Sequence, residues 1–565
     1  MTSATPLARP SEKTAWPLLK FAREHRWAAA ASAVALLLSL PLIAVLAIAV
    51  SGTESIWPHL MATVLPAALA NTLMLSFGAG ALALVIGTAA AWIVTMHRFP
   101  GREIADRLLV LPLAIPVYIV AYAYVELLDY AGPVQTALRT AFDIKQSGGH
   151  AFPEVRSLPG AILLFALVLY PYVYLMARAS FEQQSVCVLE VARTLGATAF
   201  ETFRLVALPL ARPALAGGVA LVVMECLNDL GAVQYLGVET LSASIFATWQ
   251  QRGNLAGAAQ LALVMLALVA MLLLLERNAR GNGSVHATTG RFRAIPFETL
   301  SGLRAGVALA LVLLPAVLGF AVPFAVLISH AVTHLPAADT QAFARAAGNS
   351  LLLAALASTT AVVLALLFGY AVRLDPSRFT HASSRTAAFG YALPGTVLAI
   401  GLLSPLAALD NAFDSFVRAT FGVSTGLILS GSLFAVTLAL VIRFLAVALG
   451  SVETGLQRIS PNLDAAARTL GAGSWSTLAK VHLPILAPAL GAAALLVFVD
   501  AMKELPATLL LRPFNFETLA THVYALTATE QFEEAALGAV TIVLIGLVPV
   551  LWLHNAIAGG RAGNG

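Results

Sequence analysis

The sequence predicts an all-α polytopic membrane protein, with twelve transmembrane helices arranged as two parallel six-helix repeats. Three observations carry that expectation. Apolar runs of about 20 residues, the length that crosses a hydrocarbon core, recur along the chain. Hydrophobic residues make up 59% of the 565 and charged residues 11%, against ~25% charged in soluble domains. That leaves too little polar surface for a water-soluble globule of this size. Segments of the first half also return in the second at a nearly constant offset. An ordinary cytosolic enzyme and a disordered chain are thereby excluded. So is a nucleic-acid binder, because 33 basic residues stand against 29 acidic ones with no dense basic run. Two cysteines, Cys187 and Cys226, supply neither a disulfide scaffold nor a CxxC metal site.

In chain order, the first half yields spans at roughly 27–50, 70–96, 108–128, 160–177, 213–230 and 257–275. The second yields roughly 303–328, 348–372, 387–409, 424–448, 485–505 and 534–556. The runs are long and rich in Leu, Ala and Gly, unlike the ten-residue alternation of an outer-membrane barrel. The first follows a basic leader (Lys13, Lys20, Arg23, Arg26). Its apolar run, about 24 residues, exceeds the 7–15 of a signal-peptide core, which predicts a retained helix. The expected organisation is a cytoplasmic segment at 1–26, a first half at 27–275, a linker at 276–302, a second half at 303–556 and a tail at 557–565. The linker is polar, Gly-rich and basic (Arg277, Arg280, Arg291, Arg293). With the N-terminus inside, 25 of the 33 Lys and Arg residues fall on the cytoplasmic side. The positive-inside rule therefore places both termini in the cytoplasm.

The repeat is specific. Glu190-Val-Ala-Arg-Thr-Leu-Gly-Ala197 pairs with Ala465-Ala-Ala-Arg-Thr-Leu-Gly-Ala472 at an offset of 275. The same offset relates Pro209 to Pro484, Pro213 to Pro488, Glu225 to Asp500 and Asp229 to Glu504. Upstream it becomes 278, pairing Asn71 with Asn349 and Pro116 with Pro394. Six spans per half is an even number, so both halves share one orientation, related by an axis along the membrane normal.

Two water-facing loops, 178–212 and 449–484, hold the matching segments. Their spacing is Glu-Ala-Ala, three residues, Gly, then twelve residues to Pro. In this chain it reads Glu190-Val191-Ala192, Gly196 and Pro209, then Ala465-Ala466-Ala467, Gly471 and Pro484. This pattern resembles the signature of the ABC importer permeases, and the likeness extends along essentially the whole chain. It implies a type I importer permease fold and a coupling helix seated in a cleft of a cytoplasmic ATPase. Small residues suit a short helix entering a groove, and Gly196 and Gly471 suit a left-handed helix end. Thr198 and Glu201 read as a capping box, and Pro209 and Pro484 as helix starts. The chain departs from the pattern at Val191, and in the second copy, which lacks the Glu and carries Asp464 one residue early.

No Walker A loop is present: none of Lys13, Lys20, Lys145, Lys480 and Lys503 follows a glycine. ATP hydrolysis is thus expected in another subunit. Two fused halves imply two copies of a cytoplasmic ABC ATPase per chain, a periplasmic substrate-binding protein, and a multi-pass location in a bacterial inner membrane. The chain itself is expected to be non-catalytic and to need no cofactor.

For the cargo, intramembrane polar residues carry the most information, since each is costly. Glu225 and Asp229 share a helix face in the fifth span, and Asp500 and Glu504 repeat them in the eleventh. Four carboxylates around a pseudo-two-fold axis would attract a hard cation and contact it transiently. The alternative is local neutralisation, for example by Lys503, or placement in an outer loop. The segment Lys503-Glu-Leu-Pro-Ala-Thr-Leu-Leu-Leu-Arg-Pro-Phe-Asn515 resembles the ferric-iron branch of these permeases. Import of ferric iron by alternating access is the expected function, with thiamine, phosphonate or polyamine as alternative cargo. Tyrosines 118, 122, 124, 170, 172 and 174 offer ferric ligands or, alternatively, aromatic packing. A gradient-driven secondary transporter has no reason to keep the paired loops. A membrane enzyme would need a motif such as HExxH or GxSxG, and neither is found.

Overall fold

The computed structural model describes residues 26–51, 56–142, 153–184, 191–192, 194–280 and 298–559. Eleven helices among them are long and apolar enough to cross a membrane, and one bent pair brings the number to twelve. In order they are α1 (Trp27–Ser51), α2 (Trp57–Met96), the pair α3 (Arg102–Ala114) and α4 (Val117–Ala141), α5 (Leu158–Glu182), α6 (Phe200–Asn228) and α7 (Leu255–Asn278). The second half follows with α8 (Gly302–Ala337), α9 (Thr340–Leu374), α10 (Gly395–Phe421), α11 (Leu433–Gln457), α12 (Ser474–Met502) and α13 (Phe532–Trp552). The only strand pairing among the described residues is a two-residue parallel bridge, His97–Arg98 against Glu298–Thr299.

The third expected span, 108–128, is not continuous. The chain bends by 96° between α3 and α4. Pro116 stands at the break with an extended backbone (ψ 143°), which no helix continues through. The second half repeats the device: Pro394 has the same φ and ψ and starts α10 at Gly395 rather than near 387. The tenth span begins at Leu433 rather than near 424. Asp410 fixes the turn before it, accepting from the backbone N–H groups of Ile428, Leu429 and Ser430 at 3.1, 2.8 and 2.7 Å. The two long loops are largely helical at their ends: α5 and α11 run into them from one side, and α6 and α12 start inside them.

Contacts divide the chain into two units. One comprises Met1–Leu40, Ser358–Tyr391 and Phe444–Val497; the other comprises Pro41–Ala357, Ala392–Arg443 and Phe498–Gly565. In the larger unit, α2 and α6 both pack on α5 through glycine. A Cβ on Gly87 would stand 2.8 Å from the Tyr174 backbone nitrogen, and one on Gly218 2.9 Å from the Val173 Cα. Small residues let membrane helices approach this closely where burial of oil against oil gives little driving force. An ion network ties α3 to α5 in the same unit: Arg178 lies 2.7 Å from Asp106 and 3.2 Å from Glu182, and the Tyr174 hydroxyl donates to Asp106.

The repeat is written into the hydrogen bonding of this unit. Asn71 donates to the Glu239 carbonyl at 3.1 Å, and Asn349 to the Glu517 carbonyl at 2.9 Å. The Leu241 N–H donates to Thr72 Oγ1 at 2.9 Å, and the Leu519 N–H to Ser350 Oγ at 2.7 Å. Each pair sits at an offset of 278. The same intramembrane groups are thus satisfied in the same way twice, as a low-dielectric setting requires.

Candidate functional site

The two matching segments share one local geometry. In the second copy, Ser460 caps a short helix, Pro461–Thr469, by accepting from the Asn462 N–H. Ala465 and Ala466 are exposed on it and Ala467 is buried. The helix ends where Gly471 adopts φ +78°. In the first copy Glu190 lies outside the described residues. Val191 and Ala192 are helical, and Gly196 adopts φ +89°. A Cβ on either glycine would meet nothing within 4 Å, so the left-handed backbone alone selects glycine there. Thr198 and Glu201 form the reciprocal capping box: the Thr198 N–H donates to Glu201 Oε2 at 2.8 Å, and the Glu201 N–H to Thr198 Oγ1 at 3.2 Å. Just before each glycine a leucine projects outward, Leu195 82% exposed and Leu470 86%. The sequence reading passed over both, although they repeat at the 275 offset.

Two expectations about these segments are corrected. Pro209 and Pro484 do not begin helices. Each follows a π-helical turn, Phe203–Ala207 or Leu478–His482, within a helix already under way. The wider turn makes room where a proline ring would press on the carbonyl four residues back. Asp464 is not presented outward. It lies 2.7 Å from Arg373 Nη2 and 2.7 Å from His482 Nε2, so it ties the short helix to α9 and α12. Arg373 also donates to the Leu456 and Ile459 carbonyls at 2.7 and 3.1 Å.

The four carboxylates Glu225, Asp229, Asp500 and Glu504 all lie in the larger unit. Asp229 follows the last residue of α6 and accepts from the Ala232 and Val233 N–H groups at 2.8 and 3.2 Å. Its counterpart Glu504 accepts from the Ala507 and Thr508 N–H groups at 2.9 and 3.0 Å and from the Thr508 hydroxyl at 2.7 Å. Arg443 lies 3.2 Å from Glu504 Oε1. Asp500 pairs with Lys503 at 2.9 Å. Glu225 has no hydrogen-bond or ion-pair partner among the described residues, and feels the charges of Arg443, Lys503 and Asp500. Four carboxylates against Arg443 and Lys503 leave a formal excess of two negative charges. Among the described residues no group of three or more His, Cys, Asp or Glu side chains is arranged to hold a metal ion.

Arg443 was missed at the sequence level. Its signal is a single cation inside the apolar run Leu433-Phe-Ala-Val-Thr-Leu-Ala-Leu-Val-Ile-Arg-Phe-Leu-Ala-Val447, which the cost of intramembrane charge marks as functional or paired. The six tyrosines separate. Tyr124 donates to the Leu318 carbonyl at 2.6 Å, while Tyr170 and Tyr174 are buried on α5. Tyr122 instead sits between two rings, tilted against Tyr118 at 5.6 Å and edge-on to Tyr235 at 4.5 Å. Among the described residues the Tyr118 and Tyr235 hydroxyls have no hydrogen-bond partner, and the Tyr122 hydroxyl lies beside Thr527. Tyr118 lies within electrostatic reach of Asp229 and Glu504. Outside the spans, burial pushes the Tyr235 and Tyr524 phenols above the ordinary tyrosine range, so both remain protonated.

Comparison with known proteins gives this architecture a family. Residues 83–278 match the family described as binding-protein-dependent transport system inner membrane component. The sulfate transport system permease protein CysT of Escherichia coli is 33% identical over 225 residues, covering 39% of this chain and 78% of that protein. The chain belongs to this permease family. The Fe(3+)-transport system permease protein FbpB 2 of Haemophilus influenzae is 26% identical over 491 residues, 86% of this chain and 89% of its own length. The molybdenum transport system permease protein ModB of Escherichia coli is 29% identical over 199 residues, 34% of this chain and 83% of its own length. The chain is thus a multi-pass ABC importer permease, a non-catalytic subunit whose ATP hydrolysis resides in a separate subunit.

Proposed function

We propose that this permease imports ferric iron delivered by a periplasmic binding protein. Two copies of one cytoplasmic ATPase would drive it, docked on the segments around Glu190–Gly196 and Asp464–Gly471. Both termini lie in the cytoplasm in this reading, as the distribution of basic residues favours. One observation carries the cargo assignment. Likeness to a permease named for Fe(3+) transport runs through both halves of the chain. Likeness to the sulfate and molybdenum permeases is confined to stretches of 39% and 34% of it. The excess negative charge of Glu225, Asp229, Asp500 and Glu504 over Arg443 and Lys503 supports a cationic centre on the path.

In this mechanism the ATPase motion enters through the two short segments. It passes by way of Asp464, Arg373 and His482 into α9 and α12. Asp229 and Glu504 sit where α6 and α12 give way to short helices, and a break in a helix is where a small rotation opens a path. A second reading, oxyanion import, draws on the sulfate permease likeness. The deciding experiment is uptake into vesicles holding the full complex, with the binding protein loaded in turn with ferric iron, molybdate, thiamine or phosphonate. ATP-dependent uptake of iron alone is expected; uptake of molybdate without iron overturns the ferric reading.

A further inference from the structure

The larger unit also carries an open pocket of about 580 Å³. Both halves of the chain build its wall: Gln234, Tyr235 and Arg252 from the first, Tyr524 and Glu530 from the second. The halves join there, where the Tyr524 hydroxyl donates to Gln234 Oε1 at 2.7 Å. The volume falls within the usual range of small-ligand sites. A bare ion with six waters would fill only about 180 Å³, at ~30 Å³ per water.

The lining carries both signs of charge. Arg156 and Arg252 stand with Glu239 and Glu530. Arg156 lies 3.7 Å from Asp129 and packs over the Tyr235 ring. The Arg252 guanidinium is exposed and has no partner among the described residues. Tyr122 is 4% exposed, and its hydroxyl lies beside Thr527. The Thr527 hydroxyl donates to the Val523 carbonyl at 2.8 Å. From Tyr122 the ring contacts continue through Tyr118 toward Asp229 and Glu504.

These groups discriminate between forms of cargo. Two guanidiniums and the protonated Tyr235 phenol can donate to anionic oxygen. A bare cation would meet two arginines, and a free oxyanion would meet two carboxylates. A cation wrapped in carboxylate oxygens presents both signs at once and satisfies both. Resting on the ferric reading above, we infer that this cavity is a transit site that takes the cargo as a chelate, a hard cation still held by an anionic oxygen ligand. The cation reaches the carboxylate cluster only from there.

The test uses the purified full chain in lipid nanodiscs and equilibrium dialysis with ferric citrate, iron and citrate each carrying its own label. Citrate alone and molybdate serve as the other probes. Iron and citrate are expected to bind together in equal amounts, more tightly than either other probe. Arg252→Glu and Tyr235→Phe should each weaken ferric citrate about tenfold, the scale of one lost charge-assisted hydrogen bond. Arg252 is exposed, so its replacement leaves the core untouched. Iron bound without citrate, molybdate bound more tightly than ferric citrate, or unchanged binding in both variants overturns the inference. Iron uptake by vesicles of the complex, together with no chelate binding in nanodiscs, refutes the transit site and leaves ferric import standing. Uptake of molybdate and not iron refutes both.

Discussion

Arg443 approaches Glu504 to 3.2 Å with only 11% and 1% of the two side chains exposed. Neither group has bulk water to turn to, and Glu504 spends its remaining lone pairs on the start of the helix Pro506–Leu511. The pair therefore balances charge and holds the start of that helix. Removing one partner leaves the other buried and uncompensated, at a cost of roughly 3–5 kcal/mol.

Arg443→Gln should accordingly lower the melting temperature of the detergent-solubilised chain strongly. Arg443→Met combined with Glu504→Gln should recover much of that loss, because no orphan charge remains and the glutamine oxygen still accepts from the helix start. A melting temperature unmoved by the single change would show that the pair contributes nothing to the fold.

Glu225 behaves differently from its three neighbours, since no hydrogen bond fixes its carboxylate among the described residues. Glu225→Gln should leave assembly and basal ATP hydrolysis near wild type while reducing iron uptake several-fold. Glu504→Gln should impair assembly as well. Size-exclusion profiles and uptake rates of the two variants separate these outcomes; equal behaviour would refute the distinction.

Asp464 links the short helix Pro461–Thr469 to Arg373 and His482. Asp464→Asn replaces charge-assisted contacts by neutral ones, a loss of about 1–2 kcal/mol. Hydrogen exchange in 461–469 should rise, and iron moved per ATP hydrolysed should fall. Unchanged exchange would mean that the latch carries no strain between the elements.

Gly196 and Gly471 test the helix ends. Alanine at either has free space but the wrong backbone preference, costing about 1–2 kcal/mol. Gly471→Ala and Gly196→Ala should each weaken coupling without lowering the melting temperature of the core. Leu195→Asp and Leu470→Asp should weaken ATPase copurification, because they place charge on outward apolar groups. Full copurification in both aspartate variants would remove these leucines from the docking surface.

The sequence by itself determined the class of molecule. Long apolar runs and scarce charge admit only membrane helices, because each backbone polar group in lipid must be satisfied within its own segment. The 275-residue offset determined the internal repeat, and the glycine spacing determined where the short segments end, since a left-handed turn is chemically readable in a single residue. Tertiary structure alone decided how the charges are used. Whether Asp464 faces a partner or Arg373 depends on α9, about ninety residues away in the chain, and sequence pattern carries no such long-range direction. The same holds for Glu504, whose neutraliser Arg443 lies on a different helix, and for Pro209 and Pro484, where a π-turn rather than a helix start absorbs the proline. The edge-on contact of Tyr235 with Tyr122 was equally invisible, because only folding brings the short helix Gly231–Tyr235 beside α4.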